Sequence, residues 1–374
     1  MAVQEREARA TEGGGGVDTM LIDTDIHERL DTKEQLVPYM KPLWQRHLTQ
    51  YAGVFPGTQT PNCWPYAGPS PGPARLDWLN DDRSSATDLD KMRRHLFEDE
   101  GVTTGILNGS FYPSSMLGNH EFAQALAAAY NDWQIENWLE PEPRLRGSVH
   151  VCAQDPQIAA REVDRVGAHP QVVQVHLPTS TIREYGDPFY RPIFEAALRN
   201  NLVLSFHHDR NTRTVLGYPR YYVEWHSMAA PQAAMNQALS FVMNGTFEAY
   251  PELKCVFLET GVGWTPWWFQ RVDQQYREVR TEVPWVKRLP SDHFRDNIRL
   301  ATQPLNDLSP REFTELVEKT GTEHVYVFAT DYPHYDADSA DSILPKKAIP
   351  DELRNRVRYL NALETYPKLS GLAA

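Results

Sequence analysis

Eight short apolar runs, separated by longer amphipathic stretches, are the feature that most limits how this chain of 374 residues can fold. The runs cover residues 19–27, 102–109, 145–153, 172–178, 202–209, 253–260, 298–303 and 324–331. Each is short for a helix, and short apolar runs that alternate with helical patterns read as strands of a βα repeat. Helical spacing occupies 88–100, 120–139, 156–167, 188–200, 229–250, 266–279 and 310–320, with further helix expected near 340–343 and 350–363. In the fifth of these Met235, Ala238, Leu239 and Val242 fall at i, i+3, i+4 and i+7, one face of a helix. Asp155-Pro156 and Thr265-Pro266 each place a capping side chain before a proline that suits the first helical position. Eight βα units are the number that closes a barrel. The expected architecture is therefore a single-domain α/β chain, a (β/α)8 TIM barrel over residues 19–374.

Two segments fall outside the repeat. Residues 1–18 contain the run Gly13–Gly16 and read as a flexible tail, because ordering glycines costs more backbone entropy than such a segment can recover. Residues 51–75 carry prolines at 56, 61, 65, 69, 71 and 73, which rules out helix and central strand. Such a long Pro/Gly-rich loop after the first strand would lie at the barrel's catalytic rim, and Trp64 and Tyr66 give it apolar anchors.

The bulk chemistry narrows the partners. Formal net charge is −13 and no dense Lys/Arg run occurs, so nucleic acid and anionic membranes are excluded as partners. No stretch reaches the ~18 consecutive apolar residues of a membrane span. The first residues show no secretory h-region, and the three cysteines, Cys63, Cys152 and Cys255, have no metal-binding or disulfide spacing. A cytoplasmic protein acting on a small molecule is the expectation.

Parity along the strands locates the chemistry. In the first strand Leu21, Asp23, Asp25 and His27 alternate onto one face, opposite Met20, Ile22 and Ile26. In the fifth, Val203 and Ser205 lead to His207; in the sixth, Cys255 and Phe257 lead to Glu259; in the eighth, Val325, Val327 and Ala329 lead to Asp331. Ionisable groups on core strands are costly unless paired or bound to metal. Barrel closure would gather Asp25, His27, His207 and Asp331 at one mouth as a mixed nitrogen and oxygen ligand set for one divalent ion. Taken singly, the residues also admit a structural reading: Asp25 and His27 as a hydrogen-bonded pair, Asp331 and Glu259 as turn caps.

At these positions the sequence resembles the amidohydrolase superfamily, in the branch typified by aminocarboxymuconate-semialdehyde decarboxylase. The resemblance covers about residues 19–365. It rests on Asp23-Thr24-Asp25-Ile26-His27, on Leu204-Ser205-Phe206-His207, on Tyr250-Pro251-Glu252-Leu253-Lys254 running to Glu259, and on Ala329-Thr330-Asp331-Tyr332-Pro333-His334. Two departures stand out. Asp25 replaces the first metal-binding histidine, a change shared in kind with resorcylate-type decarboxylases, and Glu259 stands where many relatives carry a catalytic histidine. The resemblance implies one Zn or Mn ion and either of two chemistries. In non-oxidative decarboxylation of an aromatic or unsaturated acid, Asp331 or Glu259 delivers the proton, and a glutamic acid there needs its pKa raised by burial. In hydrolysis of an amide, ester or lactone, Asp331 acts as base. A metal-free scaffold is the third reading. For substrate binding the expected residues are Arg213 (with Arg210) for a carboxylate and Tyr222, Trp225, Trp264 and His334 for the pocket wall, with His226 beside them; His176 and His208 are expected in structural or supporting roles. Relatives' habits imply a homodimer or higher homo-oligomer.

Overall fold

Eight strands form one parallel sheet in sequence order: β1 (Ile22–Ile26), β2 (Thr104–Leu107), β3 (Leu145–His150), β4 (Val172–Pro178), β5 (Val203–His207), β6 (Cys255–Leu258), β7 (Ile298–Ala301) and β8 (Tyr326–Val327). The sheet closes on itself. Thr24 N donates to Phe328 O (3.0 Å), Asp331 N to Asp25 O (3.1 Å) and His27 N to Tyr332 O (2.8 Å). The protein is thus the (β/α)8 barrel read from the sequence. The computed structural model describes residues 20–50, 74–109, 115, 117–209, 221–305 and 307–373. The 1–18 tail and nearly all of the 51–75 loop, with Trp64 and Tyr66, lie outside the described residues, as do Arg210 and Arg213.

The helices follow their sequence signals with several differences, among them an unexpected helix at Pro42–Gln50. Asp155 caps Pro156–Val166 as expected, its carboxylate accepting from the amides of Gln157 and Ile158. Thr265 does not cap: it is already helical, and its hydroxyl donates to Val262 O (3.0 Å). The expected 229–250 helix is two pieces, Ala230–Met243 and Thr246–Ala249, because Gly245 turns the chain at φ +69°. A helix at Pro290–Asn297, before β7, was not legible from the short sequence interval.

Two buried layers result. Helix-facing residues such as Leu204, Phe206, Cys255, Phe257, Leu300 and Phe328 join one large apolar cluster. Inward residues Ile22, Ile106, Val173, Val203, Val256, Ala301 and Val327 form a second cluster, which the C-terminal residues Tyr366 and Leu369 complete. The C-terminal segment therefore seals the barrel floor.

Simple alternation fails in β1 and β6, and Val325, just before β8, joins the outer cluster rather than the inner one of Val327 and Ala329. In β1, Leu21 and Ile26 both face the helices although five residues separate them, and the register with β2 shifts between Asp23 and Ile26. That irregularity adds the odd step that lets Ile22 and Asp25 both point inward. In β6, Cys255 and Phe257 face outward, yet Glu259 reaches the site. Its backbone is left-handed, φ +51°, which breaks the alternation and swings the carboxylate inward.

Phe206 shows how the outer layer supports the site. It is fully buried, with ring centroids of Tyr185, Phe257 and Phe241 at 5.0, 5.1 and 5.6 Å, one residue before His207. Phe206→Ala is expected to cost about 3–5 kcal/mol in urea unfolding. A loss under about 1 kcal/mol would mean that this packing does not anchor β5.

Candidate metal centre

The four strand-end residues read from the sequence converge. Donor atoms of Asp25, His27, His207 and Asp331 all lie within 4.8 Å of one another, and all four residues are buried. His27 Nε2 is 3.3 Å from Asp25 Oδ1 and 3.2 Å from Asp331 Oδ1, and His207 Nε2 is 3.8 Å from Asp25 Oδ2. Metal bonds of about 2.0–2.2 Å place adjacent donors roughly 3 Å apart, so this spacing fits a single ion.

The supporting bonds aim these groups. His27 Nδ1 donates to Gly109 O (2.6 Å) and His207 Nδ1 to His208 O (2.5 Å), which turns both Nε2 atoms toward the centre. Asn108 Nδ2 donates to Asp25 Oδ1 (2.7 Å), and His334 Nδ1 lies 2.6 Å from Asp331 Oδ1. Gly109 has φ +63°, and a Cβ there would sit 2.3 Å from the Tyr130 hydroxyl, so glycine is required where the carbonyl must meet His27. Asp331 itself is left-handed, φ +60°, a strained conformation of the kind that clusters at functional sites.

The fit to a cation shows in what is left over. Asp25 Oδ2, His27 Nε2 and Asp331 Oδ2 are buried and have no hydrogen-bond partner among the described residues. Burial raises the Asp25 carboxyl to about 6, even with His207 opposing the rise. Burial, then the carboxylates of Glu259, Asp25 and Asp336, push Asp331 well above its ordinary value. A divalent ion would satisfy all three atoms and offset the charge at once.

Glu259 departs from expectation. Burial alone would raise its carboxyl, but His208, His207 and His226 outweigh that and hold it well below the ordinary value. Its Oε2 is 3.0 Å from His207 Nε2 and 3.6 Å from His208 Nε2, and its Oε1 is 2.7 Å from His226 Nε2. The residue is an anionic hub among imidazoles, and the raised pKa that a proton-donating glutamic acid requires is not met.

The substrate-wall residues divide. Tyr222 stacks on His226 (5.2 Å, 15°), and Trp225 meets His208 at 4.3 Å, so both border the site. His334 lies against His27 (4.9 Å) and holds Asp331. Trp264 does not join them. Its indole donates to Thr260 O and Gly261 O and its ring packs on Phe294, so it shapes the turn after β6. His208, read as supporting by parity, stacks on His207 at 4.7 Å. Sequence reasoning missed Asn108, His150, Asp336 and Arg29. Asn108 follows the parity of Ile106 at the end of β2, and Asp336 lies five residues past Asp331; both signals were present. His150 ends β3 facing His176 (5.7 Å), the same strand-end signal as His207.

The chain belongs to the amidohydrolase family, whose sequence model matches residues 22–368. Among curated relatives, a gamma-resorcylate decarboxylase from a Polaromonas species is 25% identical over 294 residues, covering 75% of this chain and 88% of that one. Among solved structures, 5-carboxyvanillate decarboxylase from Sphingomonas paucimobilis superposes with a TM-score of 0.65 at 20% identity, over 93% of this chain and 99% of that one. A dihydroxybenzoic acid decarboxylase from Polaromonas, solved with manganese and 2-nitroresorcinol, gives 0.66 at 19% identity, over 93% and 97%. Among the described residues no helix is long and apolar enough to cross a membrane.

A proton competes with the ion at this centre. Burial opposes it, but the Glu259 and Asp25 carboxylates hold His207 up to about 9 when no ion is bound, so its imidazole is charged at neutral pH. Manganese uptake at pH 7.5 is therefore expected to release about one proton, read by calorimetry in buffers of different ionisation enthalpy, and to tighten as pH rises from 6 to 8. Uptake without proton release and indifferent to pH would contradict His207 as a ligand.

Proposed function

We propose that this protein is a metal-dependent, non-oxidative decarboxylase of a small aromatic carboxylic acid with an oxygen substituent beside the carboxylate. The observation that carries the reading is the convergence of two buried carboxylates and two imidazoles, with donor atoms all within 4.8 Å of one another. The relatives' chemistry, gamma-resorcylate and carboxyvanillate decarboxylation, supports the substrate class. Two carboxylates in the donor set favour a hard ion, manganese over zinc.

The bound ion would supply a Lewis-acid grip on the substrate carboxylate and its neighbouring oxygen. The protein's residues do the rest. Tyr222 and Trp225 border the space where an aromatic ring would lie, and Arg213 and Arg210, outside the described residues, are the proposed carboxylate partners. Asp331, held by His334, delivers the proton to the ring carbon. The bond from that carbon to the carboxyl carbon breaks, the electron pair stays on the ring, the C–H bond forms and CO2 leaves. Glu259 stays anionic and keeps His226 and His207 in place.

Two further properties follow the same reading. A cytoplasmic location suits Cys152 and Cys255, which are buried free thiols. A homodimer or higher homo-oligomer is supported by exposed apolar side chains at Trp267 (62% exposed), Val279 and Trp285, on the helix Thr265–Val279 and just beyond it. Light scattering is expected to give at least twice the chain mass; a monomer at micromolar concentration would remove that assignment.

The manganese-loaded protein is expected to release CO2 from dihydroxybenzoates, with no hydrolysis of aryl amides or lactones. Asp331→Asn should lower kcat about a hundredfold or more and leave the thermal midpoint of the metal-free protein within a few degrees. Hydrolysis without CO2 release would replace this reading with the hydrolase one, and turnover in the variant near that of the parent would remove Asp331 from its role. Purified protein that takes up no metal would favour the scaffold.

A further inference from the structure

A chain of buried hydrogen bonds joins the metal-facing rim of the barrel to its floor. Asp25 Oδ1 accepts from Asn108 Nδ2 (2.7 Å). Asn108 Oδ1 accepts from Gln174 Nε2 (2.5 Å) and from Ser148 Oγ (3.2 Å). Gln174 Oε1 accepts from the Tyr366 hydroxyl (3.0 Å). Asp25, Asn108, Gln174 and Tyr366 are all fully buried. Four segments distant in sequence are linked: β1, the end of β2, β4 and the C-terminal segment.

The carboxylate dictates the direction of the chain. An ionised carboxylate only accepts, so Asn108 must turn its NH2 toward Asp25 and its carbonyl toward β4. That carbonyl accepts from the NH2 of Gln174 as well as from Ser148, so the Gln174 carbonyl is turned toward the floor, where the Tyr366 O–H meets it. Without that hydroxyl a buried carbonyl loses its donor. Flipping both amides would not repair the loss, since the Gln174 NH2 would then meet no acceptor at the floor and the Asn108 carbonyl would face the Asp25 carboxylate. Every link is therefore tied to the next.

We propose that Tyr366 is a positioning residue for the metal centre, orienting Asp25 through Gln174 and Asn108, so that docking of the C-terminal segment and cation binding are coupled. Tyr366 belongs to the segment that plugs the floor, beside Leu369 of the inner cluster. Lys368 Nζ holds the same segment to His169 O (3.1 Å), in the loop before β4. The coupling is reciprocal by thermodynamic necessity: a floor that steadies Asp25 favours the ion, and the ion favours a seated floor.

The test is manganese affinity, measured by calorimetry on the full chain, for Tyr366→Phe in the parent and in an Asn108→Ala background. The phenylalanine keeps the ring packing and removes only the hydroxyl. Manganese Kd is expected to rise about three- to tenfold in the parent, the equivalent of one hydrogen bond, and to change less than about twofold once Asn108 is cut. Hydrogen exchange of the unaltered protein supplies a second reading that needs no variant to fold. Manganese should slow the amides of residues 361–373 more than those of the helix Pro156–Val166. An unchanged Kd in Tyr366→Phe, an equal rise in both backgrounds, or exchange in 361–373 slowed no more than in that helix would each overturn the proposal. A parent protein that binds no manganese would overturn the metal centre itself, and this inference with it.

Discussion

The burial of two carboxylates beside two imidazoles, at one point and out of reach of water, is the constraint around which the rest of the structure is organised. Each such group, taken alone, would be expensive to bury. The strain shows in the carboxyls of Asp25 and Asp331, raised first by burial and then by the nearby Glu259 carboxylate, and in the imidazole of His27, lowered by burial and then by His207 and His334. A dication turns that liability into a set of strong bonds. The polar column beneath the site, Asn108, Ser148 and Gln174, is the price of aiming the ligands, and it is fully hydrogen-bonded along its length.

The barrel supplies the convergence and local irregularity supplies the aim. Strand ends of a closed parallel sheet meet at one mouth whatever their sequence. Ideal alternation would still have left some of these side chains facing the helices. The register shift in β1 turns Asp25 inward, and left-handed backbone at Glu259 turns its carboxylate toward His207 and His226. The places where regular geometry is broken are the places where chemistry is set up.

This explains how much could be read from the residues alone. The eight strands follow from hydrophobic period, and the candidate ligands stand out as polar residues at strand ends, signals that depend only on local spacing, although Asp25 turns inward only through the register shift in β1. His207 lies on the inward face that parity gives it because β5 is regular. Glu259 reached the site for a reason that parity does not contain, since Cys255 and Phe257 face the other way. Its low pKa was equally invisible, because the three imidazoles responsible come from β5 and from the helical turn Trp225–Ala229, far along the chain. Trp264 looked like a pocket wall because it follows β6; its indole instead closes the turn that precedes a helix. Likewise, Tyr366 carries no sequence signal that ties it to a metal ligand. Contacts between distant segments had to be seen.

One cation shared by four side chains is what gives this arrangement of residues its purpose. Diffraction from manganese-soaked crystals at the metal's absorption edge tests it most directly. A single anomalous peak within bonding distance of Asp25, His27, His207 and Asp331 is the result expected. Strong signal elsewhere, or none between those residues, would contradict it.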